Sequence, residues 1–219
     1  MNQVVPPSLL FQFQPTIPRL DEMPRKKGGL LQLPDSAEIF VPNSLNRPNA
    51  GFLLRAAWNK AGLGIGITVS GKKMPVAGRR EGLEHSDAVQ LMIDTRHTAS
   101  VHRATAYCTS LTVLPVDEQN GRKPTLIVRD IAQQREQRSS GKTEAAGLQC
   151  ELIEGGYRLE IWLPAEMLYG FDESPEIGRI GFYCVVRDSE LGELPLNVGG
   201  DFPIAFDPST WMPLEFANA

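Results

Sequence analysis

Three histidines, His85, His97 and His102, fall within eighteen residues of one another, with Asp94 between them. Clustered imidazole and carboxylate groups are the raw material of metal and acid–base sites. The run 87–93, DAVQLMI, alternates in hydrophobicity and reads as a strand. At about 3.3 Å per residue it sets His85 roughly 20 Å from His97. Only His97, His102 and Asp94 could then meet, across a single loop, and no metal is expected there. The run 66–73, GITVSGKK, matches a phosphate-binding loop for seven positions. It fails at Lys73, which stands where a magnesium-binding hydroxyl is required, and at Ile67, Thr68 and Val69, which are strand residues where exposed amides are needed. Gly62, Gly64 and Gly66 lack the third glycine position of a dinucleotide fingerprint, and no helix follows them. Asp188 and Glu190 could be a glycosidase pair, but their spacing suits a capped turn or pairing with nearby bases. The chain contains neither HExxH nor GxSxG. No catalytic residue, cofactor or metal is therefore expected, and the chain reads as a non-enzyme.

The elements that would carry these residues are strands. With 42% hydrophobic and 22% charged residues, the 219-residue chain lies in the globular range. Twenty-two basic against 26 acidic residues give a net charge of −4, without the basic excess that nucleic acid requires. No apolar run is long enough to span a membrane, and the opening residues lack the features of a signal peptide, so a cytoplasmic location is expected. Cys108, Cys150 and Cys184 are widely spaced and odd in number, which suits buried, reduced thiols. Eight prolines crowd residues 1–50, which are expected to form an extended arm packed along the domain with one edge strand.

Residues 51–219 are expected to form a single domain. The segments 52–58 and 63–70 read as a hairpin around Asn59 to Gly62, and 147–153 with 157–163 as a second around Gly155 and Gly156. Further strands are expected at 87–93, at 102–114 with Pro115 as its stop, at 124–129, at 180–186 and near the end. A charged loop or surface helix fills 131–142, and PAEMLYGF (164–171) should form a short helix. Some eight to ten strands without a βαβ rhythm predict an all-β, two-sheet antiparallel sandwich of immunoglobulin-like or DOMON-like type, with one or two short helices. If each strand crosses the sandwich, loops 71–86, 116–123, 155 and 188–200 share one end. Loops 59–62, 95–101, the segment after 131 and 164–171 share the other.

The ordered pieces AAWNKAGLGIGITVSGK, DAVQLMIDTR, GYRLEIWLPAEMLYGFD and IGRIGFYCVVRDSELGELPL resemble the family 9 carbohydrate-binding modules and the wider DOMON-like sandwich group. The matching positions are Trp58, Asp87, Asp94, Gly156, Tyr157, Glu160, Pro164 and Asp188, and the likeness runs from about Phe52 to Phe216. The DTR, HRA and DPSxW elements resemble those of uncharacterised intracellular members. The resemblance implies a non-catalytic module that binds a sugar or oligosaccharide. The alternative is an intracellular protein-interaction module on the same sandwich. A haem reading, with His85 or Met92 as axial ligand, finds no pairing in the sequence. Each tryptophan lies in or beside a predicted strand, which suits core packing. The expected ligand site is the second loop end, with Asp94, Arg96, His97, His102, Arg103 and Trp58. There guanidinium and carboxylate groups could hold vicinal hydroxyls or an acidic sugar.

Overall fold

The computed structural model describes residues 5–25, 27–46, 51–98, 100–135 and 143–217. Its strands are β1 (Thr16–Ile17), β2 (Glu38–Ile39), β3 (Phe52–Asn59), β4 (Gly62–Ser70), β5 (Ala88–Asp94), β6 (Cys108–Asp117), β7 (Lys123–Arg129), β8 (Gly147–Ile153), β9 (Gly156–Pro164), β10 (Arg179–Asp188), β11 (Gly192–Pro195) and β12 (Met212–Phe216). They form two sheets. One has the order β1-β12-β10-β5-β6-β7, with β11 alongside β10, and the other β2-β3-β4-β9-β8. Every pairing is antiparallel except that of β1 with β12. The architecture is the predicted two-sheet sandwich.

Period-2 alternation builds the core. Leu54, Ile65, Ile67, Leu159 and Ile161 of the smaller sheet face Leu91, Ile93, Val113, Phe182 and Cys184 of the larger, and all are sealed from water. The two expected hairpins form as β3–β4 and β8–β9. Strand β6 departs from expectation. It starts at Cys108 rather than His102 and passes through Pro115. Proline's missing N–H does no harm there, because pairing with β5 has ended at Val113 and the register with β7 shifts between Leu114 and Asp117. The PAEMLYGF segment makes only a 3₁₀ turn (Ala165–Met167), and the helix α1 (Ser174–Ile177) follows it. The expected surface element at 131–142 lies largely outside the described residues.

Gly64 of β4 and Gly147 of β8 have a packing reason. On the outer face of the smaller sheet, a Cβ at Gly64 would stand 2.9 Å from Met23 Sδ, and one at Gly147 would stand 2.9 Å from Leu30 Cδ1. With no side chain at these two positions, the face receives the arm closely, so that Met23, Leu31 and Leu33 pack over Ala57 and Trp162. Glu160 fastens the arm by accepting the amides of Leu30 (3.0 Å), Leu31 (2.9 Å) and Gln32 (2.8 Å). The arm also adds β1 to one sheet and β2 to the other.

Candidate ligand site at one end of the sandwich

The first loop end is built around a buried cation. Lys72, with only 1% of its side chain exposed, places Nζ 2.7 Å from Asp188 and 3.0 Å from Asp87. Asp87 also accepts from Ala77 N, Ser189 N and Ser189 Oγ, and Asp188 from the amides of Glu190 and Leu191. Burial pulls the Lys72 ammonium down, but its hydrogen bonds and charge contacts with the two aspartates outweigh this and hold it above the usual lysine range. Burial, then the same aspartates, pushes the neighbouring Tyr157 phenol well above its ordinary value. Glu190 accepts the amides of Lys73 and Met74, 2.8 Å each, which lowers its pKa. Asp188 and Glu190 thus bind loops and are not aimed across an open cleft. This end is a brace.

The second end is open and carries aromatic rings. Asp94, at the end of β5, is buried and accepts the Arg96 amide at 3.1 Å. Burial raises its pKa, against the lowering effect of the amides of Arg96, His97 and Thr98. These amides curl the loop after β5 tightly enough that His97 adopts φ +39°. The loop is tied across the sandwich by Thr95 Oγ1, which donates to Tyr169 O (2.6 Å), and by Ser174 Oγ, which donates to Thr95 O (2.8 Å). The ties converge three side chains on Arg96. Its guanidinium lies 3.7 Å from the Tyr107 ring centroid and 2.8 Å from Glu173 Oε2, and the Tyr107 and Tyr169 rings meet at 4.9 Å and 39°. Tyr169 is 41% exposed. Beside this tilted pair opens a cleft of about 340 Å³, lined by Asp94, Arg96, Thr98, Thr105, Tyr107 and Arg135 among others.

The residues expected here divide. Asp94 and Arg96 line the cleft. His97 is not on the cleft wall: its Nδ1 is buried without a hydrogen-bond partner and close to Gly181, and burial followed by the charge of Arg179 lowers its pKa. Arg103 donates to Gln133 O and braces the segment that brings in Arg135. His102 points to Asp207 instead. Trp58 is in the core, 1% exposed and stacked on Phe216 at 4.5 Å and 12°, because β3 ends directly over the last strand. Trp162 and Trp211 are buried as well, so no tryptophan offers a face to solvent. Sequence reasoning missed Tyr107, Tyr169, Glu173 and Arg135. Part of the signal is in the sequence, since chain direction puts the loop after Asp94 and the PAEMLYGF segment at one end and the second carries a tyrosine.

A serine, a histidine and an aspartate do meet in this molecule. Ser209 Oγ lies 2.9 Å and Asp207 Oδ2 3.2 Å from His102, yet both contact the same ring nitrogen, Nδ1. A relay needs one nitrogen for the nucleophile and the other for the acid, so this cluster cannot pass a proton from serine to histidine with aspartate behind it. Asp207 also caps the 3₁₀ turn Pro208–Thr210 through Ser209 N. The cysteines are no better nucleophiles: burial pushes Cys108 up to about 12 and Cys150 up to about 11. Among the described residues, no group of three His, Cys, Asp or Glu side chains is placed to hold a metal ion.

Neither a scan against protein-family models nor a search of curated proteins found a match. Solved structures do share the fold. A family 9 carbohydrate-binding module from Caldicellulosiruptor kristjanssonii in complex with glucose aligns with a TM-score of 0.54 at 12% identity, covering 77% of each chain. The same organism's family 9 module in complex with cellotriose aligns at 0.53 and 13% identity, over 77% of this chain and 75% of that one. This chain therefore shares its sandwich fold with those modules.

Proposed function

We propose that this chain is a non-catalytic sugar-binding module whose ligand enters the cleft between Asp94 and Arg135. One observation carries the reading: a tilted tyrosine pair beside an open cleft, with half-buried Tyr107 on the cleft wall under Arg96, exposed Tyr169 against it, and Arg96 paired to Glu173. A pyranose presents C–H faces that pack on an aromatic ring and hydroxyls that both donate and accept. Tyr169 supplies the ring. Arg96 and Glu173 supply fixed donors and acceptors, and Thr98 and Thr105 add hydroxyls on the cleft wall. The glucose and cellotriose complexes of modules with the same fold support a carbohydrate as the class of ligand.

The test is a thermal-shift and calorimetry series of the full chain with glucose, cellotriose and their uronate counterparts. At about one hundred times Kd a native-state ligand contributes about 2.7 kcal/mol. For a chain of this size that is a rise of roughly 5–10 °C in Tm. Tyr169→Ala and Arg96→Ala should each abolish the shift while leaving the unliganded Tm within about 2 °C, since neither side chain is buried in the core. Binding that survives both substitutions would remove the site, and no response to any sugar at millimolar concentration would turn the reading toward a protein partner.

A further inference from the structure

The outer face of the smaller sheet is only half covered by the arm. Beyond the row of Ala57, Gly64, Trp162 and Gly147, where the arm packs, two more rows of outward-facing residues cross the sheet. These are Arg55, Gly66, Glu160 and Gln149, and then Leu53, Thr68, Arg158 and Glu151. A cavity of about 320 Å³ runs along them between Leu33, Leu53, Thr68 and Arg158, and an adjoining one of about 270 Å³ shares Arg158 and Glu160 and reaches Gln149. Together they form a trough across β3, β4, β9 and β8. Three strand spacings give it a length of roughly 14 Å, that of a short oligosaccharide.

The trough is built. One wall is the arm, fixed by Glu160 through three amides, so the wall is ordered before any ligand arrives. The floor carries no side chain at Gly66, where a Cβ would meet Leu33 Cδ1 at 3.4 Å and Arg55 Cβ at 3.7 Å, in ordinary contact. Its charges are already matched internally: Arg55 with Asp35 and Glu38, Arg158 with Glu151 at 3.4 Å, and Glu160 with the arm amides. An ionic ligand would have to break one of these pairs. What remains on offer are the Thr68 hydroxyl and the Gln149 amide, which both donate and accept, and the apolar walls of Leu33 and Leu53. Uncharged groups of mixed donor and acceptor character beside apolar walls match hydroxyls beside C–H faces.

We propose that this trough is a second binding site, for a neutral oligosaccharide, on the sheet face and independent of the cleft at the loop end. The test titrates the ¹⁵N-labelled full chain with cellotriose, maltotriose and trigalacturonate and follows the backbone amides of Leu53, Thr68, Arg158 and Gln149. A neutral trisaccharide should shift these amides saturably, with Kd on the order of 1 mM. Thr68→Arg, which fills the trough, should weaken that binding about tenfold or more, and Tyr169→Ala should leave it unchanged. If Thr68→Arg does not fold, Gln149→Ala replaces it with the same expectation. Silence of these amides toward both neutral trisaccharides overturns the proposal, whatever happens at Tyr169. So does a preference for trigalacturonate, or binding that survives both trough substitutions.

Discussion

Replacing Lys72 by methionine tests the brace at the first loop end. The substitution keeps most of the side-chain length and volume and removes only the charge. In the native protein Nζ lies 2.7 Å from Asp188 and 3.0 Å from Asp87, and neither carboxylate side chain has measurable exposure. Removing the shared cation leaves two buried anions facing each other. Breaking a buried ion pair from one side costs about 3–5 kcal/mol, because the remaining charge is stranded in a poorly polarisable setting. At about 2–4 °C per kcal/mol for a chain of this size, Tm should fall by roughly 6–20 °C. Differential scanning calorimetry at neutral pH, with far-ultraviolet circular dichroism to show that the sheets persist, measures it. Lys73→Met is the matched control: its side chain is exposed, and its Tm should stay within about 2 °C of the native value. The Lys72 pKa is raised in the folded state, so the ammonium's contribution is complete below the unfolded value near 10.4 and is lost only as pH climbs through the folded one. The native protein should therefore hold this advantage over Lys72→Met across the whole neutral range. A Lys72→Met protein that melts within about 2 °C of native would refute the reading of the triad as a brace.

Three further outcomes follow from other parts of the molecule. Asp94 has a raised pKa from burial, so its ionised form opposes folding above the unfolded value near 3.9. Asp94→Asn should accordingly melt higher than native at pH 7 to 8, with the gap closing as pH falls toward the carboxylate range; a lower Tm at pH 8 would show that its charge is needed. Gly64→Val should push Met23 and Leu31 off the sheet, cost about 1–3 kcal/mol, and make the arm between residues 20 and 33 a site of limited proteolysis. Gly66→Ala, by contrast, meets only ordinary contact distances, and its Tm should stay within about 2 °C of native; a large fall there would mean the trough floor is tighter than it looks.

The sandwich was legible in the sequence because period-2 alternation states which face of a strand is wet, and turn residues state where it ends. Both hairpins and the strands at 88–94 and 179–188 are of this kind. Chain direction then sorted the loops into two ends, enough to bring Asp94 and Arg96 into one neighbourhood. Alternation carries no information about which strand lies opposite, so partners from distant segments stayed hidden. Trp58 reads as a strand-end aromatic and only the fold lays Phe216 flat against it. Lys72 reads only as part of the GKK run until the start of β5 and the end of β10 come beside it and deliver Asp87 and Asp188. The glycine repeat of β4 resembles a broken nucleotide fingerprint until the arm is seen lying on it. Tyr107 and Tyr169 sit in loops with no period to read, and their contact exists because Thr95 and Ser174 tie two loops through backbone carbonyls. Local pattern determined the layers and the ends. Long-range packing and hydrogen bonding decided the site, since a binding surface depends on which side chains the closed chain brings within reach of one another.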